Sequence, residues 1–501
     1  MLLKLLIVII SFFLLYSDAE AQDLYIESNS NPEKENRFTE LNTETDFYRF
    51  YSYANIGIRE LPFWFYANRY GLIRPGSSVN FISGFEGETR LTGPDSNMDI
   101  RLGAELVNRF SDRDNTIHLK QLYGAANYGK VLLRIGNFYR MNDFDYAIEG
   151  LTSGFMIESH NATPYPRFSI ETDGFVKVPL TREQLFLRVR YSDGILESNR
   201  TISSPYLHQK SLQLRVIINR FSLQLGIFHS VMWAGREDER GQLPRSINDY
   251  MRVVFSRPAS EDSGASISEM VNRLGNSTGV YEAGLAYRAS DFRIVGYRHL
   301  FLEDEFGVKF QSPWDGIWGL GFIQNENNIP IRAIIYEHLN SIRQESRVGL
   351  PQGRASFYNH SIYKDGWSYR DRVLGNPLFT YDPREGRIFN NVILAHHLGV
   401  AGAFSERVSY RTLLTYSRNY GVCQDQIISG RCNIIPGDPI PDDLQFRSRS
   451  ELREDRLSGL IDLNYLLLPN YNLQLHLSLA ADAGDFFGRR IGFMTGVSIT
   501  R

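Results

Sequence analysis

The stretch Tyr471-Asn472-Leu473-Gln474-Leu475-His476-Leu477-Ser478-Leu479 sets apolar side chains on one face and polar ones on the other. An extended strand produces this pattern, because its successive side chains point to opposite sides. Ile491, Phe493, Thr495, Val497 and Ile499 repeat it at the end of the chain, alternating with small or polar residues. Upstream, Gly459, Ile461, Leu463, Tyr465 and Leu467 form another such run, with Asp462 and Asn464 on the second face. A short Pro469-Asn470 turn joins it to the first. A sandwich of two sheets gives the same local signal, so the decision rests on how the strands are connected.

Tight hairpins recur along the chain: 389–401 with 405–418, 313–323 with 328–344, 277–288 with 291–302, and 206–218 with 221–233. Long polar segments separate them, at 420–455, 346–388 and 234–276. With the C-terminus on the periplasmic side, every one of these tight turns falls on that side and every long segment outside. A sandwich has no reason to sort its connections by length, whereas outer-membrane barrels do so. Further strands are expected near 78–90, 96–109, 115–127, 129–139, 166–179 and 183–193. Arg188 and Arg190, and likewise Asp99, Arg101 and Glu105, alternate with apolar neighbours. Charge is costly against lipid, so these residues are expected to line a polar lumen. The reading is an all-β transmembrane antiparallel barrel of about 18 strands, an even number as bacterial barrels have, with long loops plugging the mouth.

Composition agrees. Of 501 residues, 43% are hydrophobic and 22% charged, which excludes a disordered chain. A net charge of −3 excludes a strongly basic nucleic-acid binder. Residues 1–21 read as a signal peptide: Lys4 leads an apolar run, Leu5 to Leu15, and Ala19-Glu20-Ala21 is a small-x-small cleavage site. A membrane anchor is the alternative, but the run is short for a spanning helix. Residues 22–76 are set apart as an N-terminal periplasmic segment, partly disordered and possibly helical, ahead of a barrel over 77–501. Its aromatic stretch, Leu61-Pro62-Phe63-Trp64-Phe65-Tyr66, suits a plug element or a strand not otherwise placed. Cys423 and Cys432 are expected to close a small disulfide loop; two free thiols are the alternative.

No catalytic constellation stands out. The chain has no Gly-x-Ser-x-Gly, no His-Glu-x-x-His and no P-loop. His396-His397 sits inside a strand pattern and reads as structural, one ring facing the lumen and one the outside. The acids Glu303-Asp304-Glu305 read as solvated loop residues. One loop differs, Gly353 to Leu378, where Tyr358, Tyr363, Trp367 and Tyr369 lie among Arg354, Asn359, His360, Lys364, Arg370, Arg372 and Asn376. Aromatic faces stack on sugar rings, and Asn and Arg bond hydroxyls and carboxylates, so an acidic polysaccharide suits this set. A rigid plug whose rings pack and whose arginines pair explains the same composition.

The run Tyr358-Asn359-His360, Tyr363-Lys364, Gly366-Trp367, Tyr369-Arg370 and Leu374-Gly375-Asn376-Pro377-Leu378 resembles the hallmark stretch of the Wzi family of capsule-assembly outer-membrane proteins. A second stretch, Leu151-Thr152-Ser153-Gly154-Phe155-Met156-Ile157-Glu158-Ser159-His160-Asn161-Ala162 with Pro164 and Pro166, is similar to another segment of that family. Leu119 to Gly124 and Leu133 to Asn137 resemble a strand pair of the family, with Asn137 where an Arg is usual. The resemblance implies an 18-stranded barrel with a blocked outer mouth. It also implies a lectin-like, non-enzymatic role, retaining capsular polysaccharide at the cell surface. The expected partners are that polymer and outer-membrane lipid. No nucleic acid, metal or cofactor is expected, and the barrel is expected to be a monomer. A diffusion porin and an outer-membrane hydrolase are the alternatives.

Overall fold

The computed structural model describes residues 46–93, 96–139, 148, 150–182, 184–303, 313–326, 328–344, 356–422 and 453–501. Eighteen antiparallel strands close into one barrel. The first nine are β1 (Phe47–Ile58), β2 (Val79–Arg90), β3 (Met98–Ser111), β4 (Asn115–Tyr128), β5 (Val131–Asn137), β6 (Pro166–Thr172), β7 (Leu185–Ile195), β8 (Tyr206–Ile218) and β9 (Phe221–Trp233). The others are β10 (Asn276–Arg288), β11 (Phe292–Glu303), β12 (Gly316–Gln324), β13 (Ala333–Asn340), β14 (Ile393–Ser405), β15 (Val408–Asn419), β16 (Glu454–Leu468), β17 (Leu473–Gly484) and β18 (Arg490–Thr500). Val176–Lys177 continues β6 past a break and pairs with β7, so it adds no strand. Each strand pairs with the next in sequence. β1 pairs with β18 from Arg49↔Thr500 to Ile58↔Ile491, which leaves no open edge.

Side-chain alternation sorts the two faces of the wall. Phe221, Leu223, Leu225 and Ile227 on β9, and Ile491, Phe493, Val497 and Ile499 on β18, point outward and are exposed. Arg101, Glu105, Arg190, Gln213, Gln224, Glu282 and Asp462 point inward and are buried. An apolar exterior around a polar interior is the inverse of a water-soluble sandwich and belongs to a barrel set in lipid. No helix among the described residues is long and apolar enough to cross a membrane.

Two expectations need correction. The barrel begins at Phe47, not at 77, because β1 lies inside the segment set apart as periplasmic. That segment's aromatic helix, α1 (Phe63–Tyr66), therefore joins β1 to β2. Strand parity puts it at the end that carries the long loops, opposite to the C-terminus. Residues 22–45 lie outside the described residues. Connection length also sorts less strictly than expected. The turns at 129–130, 219–220, 289–291, 406–407 and 469–472 share one end, but the short connections 112–114 and 485–489 sit at the other with the long ones.

The connection 234–275 folds outward over the rim. Its helices α2 (Ile247–Val254) and α3 (Ile267–Val271) each open with a Ser capping box, from Ser246 and Ser266. Val253, Tyr250, Met270 and Leu274 pack there on Val231 and Trp233 of β9. Inside the barrel, one recurrent device ties strands two apart. Tyr297 on β11 lies flat across Gly319 on β12 and gives its hydroxyl to Glu337 on β13. A Cβ on Gly319 would meet the Tyr297 ring at 2.0 Å, so only glycine lets the ring cross. Tyr123, Gly103 and Glu88 repeat the arrangement on β4, β3 and β2.

Candidate functional site

Described residues of three connections meet in the mouth: 59–78, 150–165 and 356–392. Their centre is the interlocking of two segments far apart in sequence, 152–161 and 358–378. The Ser159 backbone N–H donates to Leu374 O at 2.7 Å, and its hydroxyl donates to Gly375 O at 2.6 Å. Asn161 Nδ2 donates to Val373 O at 2.9 Å, and Asn376 Nδ2 to Gly154 O at 2.9 Å. Trp367 Nε1 donates to Ile157 O at 2.7 Å, and the Tyr358 hydroxyl donates to Met156 O. Every one of these polar groups is buried and would be costly if left unpaired.

The wall holds this unit through one carboxylate. Glu337 accepts from Thr152 Oγ1 at 2.6 Å, from the Ser153 N–H at 2.6 Å and from the Tyr297 hydroxyl. His397, also on the wall, bonds Leu151 O through Nε2 at 2.6 Å and Thr415 through Nδ1 at 2.7 Å. Its neighbour His396 faces outward, as the strand pattern predicts. A second anchor comes from 59–78. The Phe63 N–H donates to Asp482 Oδ2 at 2.8 Å, and the four residues of α1 are all buried. Arg372 donates to Ile73 O and lies over the Tyr66 ring. Burial lowers the Arg372 pKa to about 10.

The sequence-predicted site residues divide by burial. Tyr358, Tyr363, Trp367, Tyr369 and Asn376 are each at most 2% exposed. Asn359 and Arg372 are also buried. Tyr363 donates to Ala234 O at 3.1 Å, Asn359 Nδ2 to Ile388 O at 3.1 Å, and the Tyr369 ring packs edge-on against Tyr165. His360 is partly covered; its Nδ1 faces the Ile362 and Tyr363 N–H groups at 3.2 and 3.4 Å, and burial lowers its pKa to about 4. Lys364 and Arg370 are exposed. Arg354, Cys423 and Cys432 lie outside the described residues.

Arg370 and Asp371 form the tip of a short hairpin, Ser368–Tyr369 paired with Arg372–Val373. Both tip residues have positive φ, 47° and 61°, the combination a two-residue turn of this hand requires and glycine or asparagine usually supplies. The connection 196–205 grips this hairpin. Arg200 donates to Ser368 O at 2.8 Å and Gly366 O at 3.1 Å, the Thr201 N–H donates to Asp365 Oδ2 at 2.9 Å, and the Arg370 N–H donates to Glu197 Oε1 at 3.2 Å. Exposed Arg74 lies beside the tip, 3.2 Å from Asp114 and 4.0 Å from Asp371. The surface offered at the mouth is thus a charged rim, with Lys364, Arg370 and Arg74 beside Asp114 and Asp371, over a packed interior. A cavity of about 60 Å³ beneath it, lined by Trp64, Arg69, Phe155, His160 and Arg411 among others, is too small for a sugar ring. Among the described residues, no group of three or more His, Cys, Asp or Glu side chains is placed to hold a metal.

Sequence reasoning did not find Glu337, Asn161, Arg200 or Asp482 as anchors. An isolated inward acid carries no signal of what it holds. The aromatic stretch 61–66 is buried in the mouth as the helix between β1 and β2, inside the barrel's own connections and not ahead of the barrel.

No family model matches the chain, and no curated protein does. Among solved structures, the chain is similar to Wzi of Escherichia coli, described as an outer-membrane protein involved in group 1 capsule assembly and a carbohydrate-binding β-barrel. The identity is 12%, the TM-score 0.53, and the match covers 90% of this chain and 84% of that one. OccK5 (OpdH) of Pseudomonas aeruginosa also matches, at 9% identity and a TM-score of 0.45, over 91% of this chain and 97% of that one. The fold is that of an outer-membrane β-barrel.

Proposed function

We propose that this protein is a closed outer-membrane barrel that binds an acidic surface polysaccharide, in the manner of a lectin, and retains it at the cell surface as part of capsule assembly. The observation that carries the reading is the interlocked mouth. Two segments sealed by Trp367, Tyr358, Ser159 and Asn161 occupy the place where a diffusion pore would open. What the mouth then presents to the exterior is a rim that includes exposed cations. Lys364 and Arg370 are the exposed cations there, Arg74 stands between Asp114 and Asp371, and the positive-φ turn places Arg370 at its tip. Guanidinium groups bind carboxylates bidentately, which favours an acidic polymer over a neutral one. In this reading the long loops face outward, the signal peptide is removed, and Cys423 and Cys432 are bonded to each other.

The similarity to a carbohydrate-binding barrel supports the reading without deciding it. The test is binding of the purified protein to polymer from its own strain, against an unrelated polymer, at low and high salt. Selective binding that weakens in Arg370→Ala/Lys364→Ala is expected. Equal binding to both polymers, or steady large conductance of the wild type in a planar bilayer, overturns the proposal in favour of a porin.

A further inference from the structure

The outer wall carries a band that breaks the apolar pattern. Arg298, Trp318, His338, His396 and Tyr416 are direct cross-strand partners on β11 to β15 and all face outward. One row closer to the tight-turn end, Leu320, Tyr336, Leu398 and Leu414 are exposed and largely apolar. One row closer to the long loops come Arg418 and Asp455, with Arg453 beside them. The band therefore lies where the lipid-facing zone ends, at the height of headgroups.

Its side chains are preorganised. The Arg298 guanidinium lies 4.4 Å from the Trp318 ring centre and donates to Pro313 O at 2.9 Å and to Ile317 O at 3.1 Å, among other carbonyls. Trp314 stacks near Trp318 at 6.0 Å, and the His338 and His396 rings stack at 4.7 Å. The Tyr336 hydroxyl sits 2.7 Å from His396 Nδ1. Arg418 and Arg453 both donate to the Tyr416 hydroxyl, at 3.2 and 3.1 Å, and the hydroxyl donates to Asp455 at 3.0 Å. Among the described residues, the band's arginines Arg298, Arg418 and Arg453 have two carboxylates near them, Asp315 by Arg298 and Asp455 by the other two, which leaves surplus positive charge. Arginines at the border of a hydrocarbon zone reach the headgroup layer at little cost, and an anionic headgroup attracts them there.

We infer that this band is a binding site for the phosphorylated headgroup of a membrane lipid, with the Trp314 and Trp318 rings against its acyl or sugar portion. The inference rests on the barrel standing in a membrane and not on polysaccharide binding. The test uses the full-length protein in nanodiscs and the quenching of tryptophan fluorescence by brominated lipids. Trp314 and Trp318 are exposed, whereas Trp64, Trp233 and Trp367 are buried, so the quenching reads this band. A diphosphorylated glycolipid and an anionic phospholipid are expected to quench at much lower mole fraction than phosphatidylcholine. Two interfacial arginines are together worth roughly thirty-fold in partitioning, so Arg418→Gln/Arg453→Gln should lose most of that preference. His338→Leu/His396→Leu is a second variant that leaves the arginines in place, and it should weaken the preference too. Heat-modifiable migration on a gel confirms that each variant is folded. Equal quenching by all lipids in the wild type, undiminished preference in both variants, or displacement of the lipid by inorganic phosphate would each overturn the site.

Discussion

Replacing Trp367 with Ala should open the mouth without unfolding the barrel. Trp367 is 1% exposed, and its indole N–H meets Ile157 O at 2.7 Å. Truncating a buried Trp to Ala costs about 3–5 kcal/mol, and leaving the Ile157 carbonyl unpaired adds about 1 kcal/mol or more. The loss falls on the contact between segments 152–161 and 358–378, not on strand pairing. A cost of about 4 kcal/mol raises the population of the undocked mouth roughly a thousand-fold. Trp367→Phe keeps most of the apolar volume and loses only the hydrogen bond, so it should cost about 1–2 kcal/mol. Single-channel recording in a planar bilayer reads the opening, and limited proteolysis across 356–379 reads the undocking. If Trp367→Ala stays as non-conducting and as protease-resistant as the wild type, the interlock does not close the mouth.

Other perturbations follow from the same contacts. Glu337→Ala removes the acceptor of three donors and should release segment 151–154, at about 3 kcal/mol or more, measured as faster hydrogen exchange there. Gly319→Ala puts a Cβ into the Tyr297 ring and should destabilise the barrel by about 1–3 kcal/mol, read as a lower temperature of heat modification. The His360 pKa falls from the ordinary 6.5 to about 4 in the folded mouth, so the undocked loop binds more protons between those values. Its contribution, about 3 kcal/mol, is intact above pH 6.5 and is lost as the pH drops towards 4; protease sensitivity of 356–379 should rise over that window, and His360→Gln should flatten the rise.

The wall was legible because lipid outside and polar groups inside impose opposite demands on alternate residues. Leu473 to Leu479 obeys both and reads at sight. β1 does not. Phe47–Ile58 carries aromatics on both faces, Tyr48 and Phe50 outward and Tyr51 and Tyr53 inward, so its alternation has no contrast. Tyr51 faces inward because its hydroxyl serves Glu105 at 2.6 Å, a partner more than fifty positions away in the chain. The mouth was harder still. Rings among Asn and Arg suit a sugar site and a packed plug equally well, and composition contains no record of which ring is covered. Only the register of β13 with β14, and the segments it brings over Glu337, separates Trp367 from Arg370.

That separation divides the residues of the mouth by task. Segments 151–162 and 358–378 hydrogen-bond to each other across the lumen. Ser159, Asn161, Trp367 and Asn376 each satisfy a backbone carbonyl of the opposite segment, so each is fixed by geometry and tolerates little change. A residue that meets a polymer faces the opposite constraint, since it must stay exposed and can vary with the polymer. Ser159, Asn161, Trp367 and Asn376 therefore serve to shut the mouth. Under the proposed function, polymer choice would fall to exposed positions such as Lys364, Arg370 and Arg74, whose side chains close no internal gap. On this argument, exchanging Lys364 and Arg370 for acids should change which polymer binds while conductance stays low, and exchanging Asn161 or Ser159 should do the reverse.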